Sequence, residues 1–204
     1  MGKARLTVQE LKRRHDDLKR YERYLPTLVL KKLQLQIEVN RVKTVLKKRR
    51  NELKLLLEDL DMWIPLLGED VGLAEILRVR RIRTEKGNVA GVEIPLFKGI
   101  DFEDLDYDLY ITPLWVDRAV ETLKRLLSLK AEIVILSQQA QALGDELRTT
   151  MQRVNLFEKV KIPETREHIR LIQIFLGDQQ TAAVVRGKIA KQKVLKRTMI
   201  KVTP

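Results

Sequence analysis

The sequence predicts a mainly α-helical protein: a long antiparallel two-helix, left-handed coiled coil with a small β-hairpin-containing insert at its turn end. Three observations predict it. Leu, Ile, Val, Lys, Arg and Glu dominate the 204 residues, with 5% aromatic and 33% charged side chains, a profile of long helices rather than of a compact globule. Two long stretches repeat apolar residues every seven positions. The segment between them is short and carries β-branched runs around turn residues.

The first helix opens on "TVQE", Thr7 to Glu10, a capping box in which the Thr7 hydroxyl serves an early amide and Glu10 reaches back. One seam of the heptad pattern runs through Leu18, Leu25, Lys32, Val39, Leu46, Leu53 and Leu60. The other runs through Tyr21, Leu28, Leu35, Val42, Arg49, Leu56 and Trp63. Twelve of these 14 positions are apolar, against roughly six expected from the 44% hydrophobic composition. Lys32 and Arg49 are the exceptions, expected either to extend to solvent at the seam edge or to fix register against a partner. Pro26 lies inside this helix, and Pro65 with Gly68 ends it, giving a first segment of residues 1–64.

The insert, residues 65–111, holds "ILRVRRIRT" and "NVAGVEIPLF" on either side of "EKGN", read as a hairpin turn containing Gly87 and Asn88. Pro95 belongs at a strand edge or end. "DFEDLDYDLY", residues 101–110, carries five carboxylates. It reads as a solvated loop rather than a calcium site, because no glycine punctuates it at a calcium-loop spacing.

The third segment, residues 112–204, starts at "TPLW" with Thr112 as N-cap and Pro113 at the first helical position. Its seams are Ala119, Leu126, Ile133, Ala140, Leu147 and Val154, and Thr122, Leu129, Leu136, Leu143, Thr150 and Phe157. The short insert makes antiparallel pairing within one chain the economical arrangement. Pairing then places Thr7 opposite about residue 169, so everything from about Arg170 overhangs. That tip holds Leu171, Ile172, Ile174, Phe175, Leu176, Val184, Val185 and Ile189. It has no acid after Asp178 but carries Arg186, Lys188, Lys191, Lys193, Lys196, Arg197 and Lys201. An apolar, basic helix without a partner of its own calls for a surrounding socket with acidic parts.

The formal charge is +12, with basic outer segments flanking an acidic centre. Cysteine is absent, which excludes disulfides and thiolate chemistry and suits the cytosol. No signal-peptide core and no long apolar run appears, so any membrane contact is expected to be indirect. Gly187-Lys188 lacks the upstream glycine of a phosphate-binding loop and is followed by Ile189. His15 and His168, the only histidines, fall on different helices at solvated or seam-edge positions, so no catalytic, metal or cofactor site is expected. "KKRR", Lys47 to Arg50, is the densest basic patch, yet it sits inside the heptads without interleaved aromatics. Two further classes stay open on the residues alone: a coiled-coil scaffold and a basic nucleic-acid-binding coiled coil.

Two stretches carry a family resemblance. "GNVAGVEIP", with Gly87, Asn88 and Gly91, resembles the hairpin strand of the D subunits, the central-stalk axles of A/V-type rotary ATPases. "RVNLFEKVKIPETREHIRLI", with Arg153, Val154, Asn155, Phe157, Glu158 and then Ile162-Pro163, is similar to the C-terminal block of that family. The order of helix, hairpin insert and longer helix agrees over nearly the whole chain. The tip departs from the family's more charged pattern through Gly177 and Gly187, and Pro26 is a second departure.

The resemblance implies a non-catalytic rotor shaft of an ATP-hydrolysing or ATP-synthesising, ion-transporting complex, without a cofactor. It implies partners as well: catalytic and non-catalytic head subunits of the A and B type, the small F subunit of the stalk, and a socket subunit on the membrane ring. The chain would then be cytoplasmic and peripheral to the membrane, with neither nucleic acid nor membrane insertion. On that footing Phe175, Val185, Arg186, Lys188, Ile189 and Lys191 are candidates for contact with the ring, and a shaft bend is expected at Pro163.

Overall fold

The 54-residue helix α1 (Val8–Asp61) leads into two antiparallel strands, β1 (Val79–Val89) and β2 (Val92–Phe102). Helix α2 (Trp115–Leu156) follows, then a five-residue π-helical turn (Phe157–Lys161) and helix α3 (Ile162–Val202). The computed structural model of the chain describes residues 6–61, 77–103, 113 and 115–202. Trp63, Pro65, Gly68, Thr112 and most of the acidic stretch 101–110 lie outside the described residues. The mainly helical class with a small hairpin insert is the one the heptads predict.

At the start of α1 the Thr7 hydroxyl accepts from the Glu10 amide at 3.3 Å. The Glu10 carboxylate, expected to complete the capping box, is taken by Arg14 Nε at 2.8 Å, one helical turn on. Every described position of both predicted seams is buried or half-buried. Pro113 precedes α2 rather than opening it; its carbonyl accepts from the Val116 amide at 3.0 Å, and the helix begins at Trp115.

The chain forms two compact units, residues 30–151 and residues 1–29 with 152–204. In the first, α1 and α2 run antiparallel. Lys31 Nζ meets Glu146 Oε1 at 2.6 Å, and Arg49 Nε meets Glu132 Oε1 at 3.0 Å, so the partner number falls as the α1 number rises. Arg49 therefore sets register from the seam edge, and it also reaches Glu52 on its own helix at 2.7 Å. Its guanidinium is held above its ordinary pKa by the Glu52 hydrogen bond and then by Glu132. The Glu52 carboxyl, reciprocally, is lowered by the Arg49 hydrogen bond.

The hairpin closes this core. Ile94 packs with Leu35, Val39, Val42 and Leu143, of which Leu35 and Leu143 are fully enclosed. Gln139, 5% exposed, donates from Nε2 to the Pro95 carbonyl. That bond satisfies a buried amide and ties β2 to α2.

The turn is not at "EKGN". Gly87 pairs with Ile94 and Asn88 with Glu93 inside the ladder, and the chain reverses at Ala90-Gly91, both with positive φ (51° and 83°). Such a two-residue turn matches the twist of its strands, and Asn88 Oδ1 supports it by accepting from the Gly91 amide at 3.0 Å. Gly87 serves a different purpose. A Cβ there would meet the Leu96 side chain at 2.9 Å, so a larger residue would oblige Leu96 to shift.

Leu143→Ala is expected to lower stability by about 2–5 kcal/mol, because the fully enclosed cluster cannot collapse onto the void. Leu33→Ala, at a position 48% exposed, should change it by less than about 0.5 kcal/mol. Urea unfolding of the two variants at unchanged slope measures both.

Candidate functional site

The distinctive local geometry of the second unit lies where the opening of the C-terminal block meets Pro163. Continuing the seam of Val154 and Phe157 by sevens would place Lys161, Glu164, His168 and Leu171 in the interface. The buried residues are instead Ile162, Thr165, Ile169 and Ile172, each one position later. One extra residue has been absorbed. The π turn Phe157–Lys161 absorbs it: the Ile162 amide donates to the Phe157 carbonyl, a five-residue span in place of four.

The backbone is helical on either side of this turn (Leu156 φ −62°, ψ −46°; Ile162 φ −66°, ψ −51°), so the helix passes through without a break. Pro163 follows directly. An ordinary helical turn suffers twice from proline, through a lost donor and through the ring's clash with the carbonyl four residues back. The wider turn lies across that carbonyl, of Lys159, and relieves the crowding. Thr165, 3% exposed, adds a hydroxyl bond to the Lys161 carbonyl at 2.6 Å. Helix α3 resumes the seam with Ile169 and Ile172.

Around the turn, Tyr21 of α1 and Phe157 meet in a tilted contact with ring centroids 5.3 Å apart, and Arg166 pairs with Glu22 at 2.8 Å. Displaced from the seam by one position, His168 is half-buried with Nδ1 lacking a hydrogen-bond partner among the described residues. Arg170 grips Glu167 through Nε and a terminal nitrogen, 3.1 Å and 2.9 Å, and holds its carboxyl below the usual range.

Burial extends past Arg170, to the fully enclosed Ile172 and the half-buried Phe175 and Leu176. The tip expected from Arg170 therefore begins later: from Gly177 to Leu195 every side chain is exposed. Val184 (58% exposed), Val185 (49%), Ile189 (47%) and Val194 (63%) lie on this stretch. Successive residues turn by about 100°, so Val185 and Ile189 share one side of the helix while Val184 and Val194 lie on others. Arg186, Lys188 and Lys191 share the stretch and are exposed, while Phe175 sits below it at the edge of the covered region. The six sequence-predicted contact residues thus form no single cluster. They span about four helical turns of one rod.

Among the described residues no group of His, Cys, Asp or Glu is placed to hold a metal, and no helix is long and apolar enough to cross a membrane. The one-residue frame shift was missed by sequence reasoning. Its signal was present in Ile162, Ile169 and Ile172, which stand one place off the preceding frame.

A family model describing the D subunit of ATP synthase matches residues 10–192. The chain is similar to a V-type ATP synthase D subunit of Borreliella burgdorferi, 45% identical over 197 residues that cover 97% of this chain and 98% of the relative. It is also similar to proteins of the same description from Chlamydia abortus, 33% identical over 96% of each chain, and Chlamydia felis, 34% identical over 88% of each.

Proposed function

The chain belongs to the D-subunit family of ATP synthases, and from that premise we propose that it is the non-catalytic central shaft of a V-type ATPase complex. In this role it passes torque between an ATP-hydrolysing or ATP-synthesising head and the membrane ion-translocating ring. The observation that carries the reading is the exposed tip of α3, apolar on several sides and basic from Arg186 onward. A helix apolar all round is stable only when enclosed, and cations along it favour an enclosure with acidic walls.

Head subunits of the catalytic and non-catalytic types are the proposed enclosure, meeting Phe175, Val185, Arg186, Lys188, Ile189 and Lys191. The small F subunit of the stalk and a socket subunit on the membrane ring are the remaining proposed partners. The chain would sit on the cytoplasmic side, peripheral to the membrane. The long seam suits transmission, since its side chains are locked by packing and by cross-helix pairs such as Arg49 with Glu132. Pro163 and its π turn are proposed to make the shaft asymmetric, so that three equivalent head interfaces meet unequal faces. Coupling then requires that the open and closed states of the head contact the shaft with different free energies.

Affinity purification of the tagged chain from its native cell, after nuclease treatment, tests the role. One copy per three catalytic subunits in a complex that hydrolyses ATP is expected. Recovery without an ATPase head would overturn the shaft reading and leave a scaffold. Recovery only before nuclease treatment would point to nucleic acid.

A further inference from the structure

Twisting a two-helix rod drives its helices to slide along each other. A heptad seam resists that sliding poorly, because apolar residues recur at the same spacing farther along, and polar pairs are what specify register. Within residues 30–151 two ion pairs cross between α1 and α2: Lys31 with Glu146 at 2.6 Å, and Arg49 with Glu132 at 3.0 Å. The hairpin is seated between them. There Ile94 joins Leu35, Val39, Val42 and Leu143, and Leu136, Ala140 and Leu147 pack against the cluster.

The pairs do not lie square to the rod. Lys31 and Arg49 stand 18 residues apart on α1, whereas Glu132 and Glu146 stand 14 apart on α2. At about 1.5 Å per residue, the cations are spread roughly 6 Å wider than their carboxylates. Each cation also lies farther from the seat of the hairpin than its carboxylate does. Lys31 precedes Leu35 by four residues, while Glu146 falls inside the span from Leu136 to Leu147; Arg49 is seven residues beyond Val42, while Glu132 is four from Leu136. Both cations therefore reach inward, Lys31 toward the C-terminal end of α1 and Arg49 toward its N-terminal end. Sliding α1 in its C-terminal direction stretches the Arg49 pair and slackens the Lys31 pair; sliding it back does the reverse. All four side chains are half-buried, where ion pairs are screened less than on an open surface.

We propose that the two pairs are opposed braces that hold α1 and α2 in one axial register around the hairpin, each resisting sliding in one sense. The consequence for torque rests on the shaft reading: a shaft loaded in one sense by hydrolysis and in the other by synthesis needs both braces. The register itself does not depend on that reading.

The test uses the full chain, which has no cysteine of its own, with spin labels attached at Leu55→Cys on α1 and Gln141→Cys on α2, both exposed positions. Residue 55 lies beyond the level of residue 141 in the C-terminal direction of α1, so forward sliding lengthens the distance between labels and backward sliding shortens it. Glu132→Gln breaks one brace and leaves Arg49 its bond to Glu52. The remaining pull at Lys31 should then lengthen the distance by about 1.5 Å, one residue of helical rise. Glu146→Gln should shorten it by a similar amount. The two together should return the mean distance to the wild-type value with a broader distribution, and Lys31→Glu combined with Glu146→Lys should restore the wild-type distance. Unchanged circular dichroism verifies that the variants fold. No shift in either single variant, or shifts of the same sign, overturns the proposal. Single-molecule torsion of the reconstituted complex then reads the mechanical consequence: each single variant should yield more under one sense of twist, and the two senses should be opposite. Equal yielding in both senses would overturn the mechanical role. The distance measurement needs no ATPase head, so its failure leaves the shaft reading standing, and recovery of the chain without a head leaves the braces standing.

Discussion

A chain ending at Arg186 is expected to fold with wild-type stability and to lose coupling between ATP hydrolysis and rotation by about 5- to 150-fold, the usual span of an intersite coupling energy. The two halves of that expectation have one cause. Every described side chain from Gly177 to Leu195 is exposed, so residues 187–195 take no part in burying the chain's own apolar surface, and their removal opens no cavity. Ile172, Ile169 and Thr165, which hold α3 against the rest of its unit, all remain. What the truncation removes is apolar and basic surface available only to a partner, including Lys188, Ile189 and Lys191. Urea unfolding of the isolated chain and single-molecule rotation of the reconstituted complex measure the two halves separately. Full torque and normal assembly without residues 187–204 would mean that the tip bears on nothing. A drop in stability of the isolated chain would mean that the tip packs on the chain itself.

The seams were legible because burial and period are the same property seen twice. A position repeating every seven residues returns to one side of an underwound helix, and the described positions chosen on that basis are all sheltered. Even Lys32 and Arg49 follow the frame; Arg49 stays half-buried because Glu132 and Glu52 receive its guanidinium. The hairpin turn was less legible because two glycines compete for it. Gly87 and Gly91 look alike in sequence, and what separates them is tertiary: Leu96 lies over the first, while the second has open space and φ of 83°. The start of the tip was misplaced for a similar reason. Helix lengths alone cannot say that Ile172 is covered.

The turn before Pro163 carries a feature that sequence reasoning did not predict. A proline inside a helix suggests a bend, whereas the frame of buried residues indicates an insertion. If the seam demands the π turn, Pro163→Ala should leave it in place. Ile162, Thr165, Ile169 and Ile172 still need one extra residue to reach the interface, whichever residue stands at 163. Stability should then change by less than about 1 kcal/mol, well below the roughly 3 kcal/mol that replacing an interior helical proline would ordinarily recover. Deleting the exposed Lys159 does the opposite. It restores an unbroken heptad from Val154 to Ile172, but it sets Pro163 in an ordinary helical turn, where ring and carbonyl collide. A loss of about 3 kcal/mol is expected from the deletion alone, and Pro163→Ala added to the deletion should recover most of it. The cycle would thus give a coupling of about 2–3 kcal/mol between two changes four residues apart. A gain of about 3 kcal/mol from Pro163→Ala alone, with a crystal structure showing the Ile162 amide moved to the Glu158 carbonyl, would make the proline the cause and the frame shift its product. The doubly altered chain, stable yet lacking the π turn, is also the cleanest test of asymmetry: if it rotates within a complex as the wild type does, the shaft's unequal faces arise elsewhere.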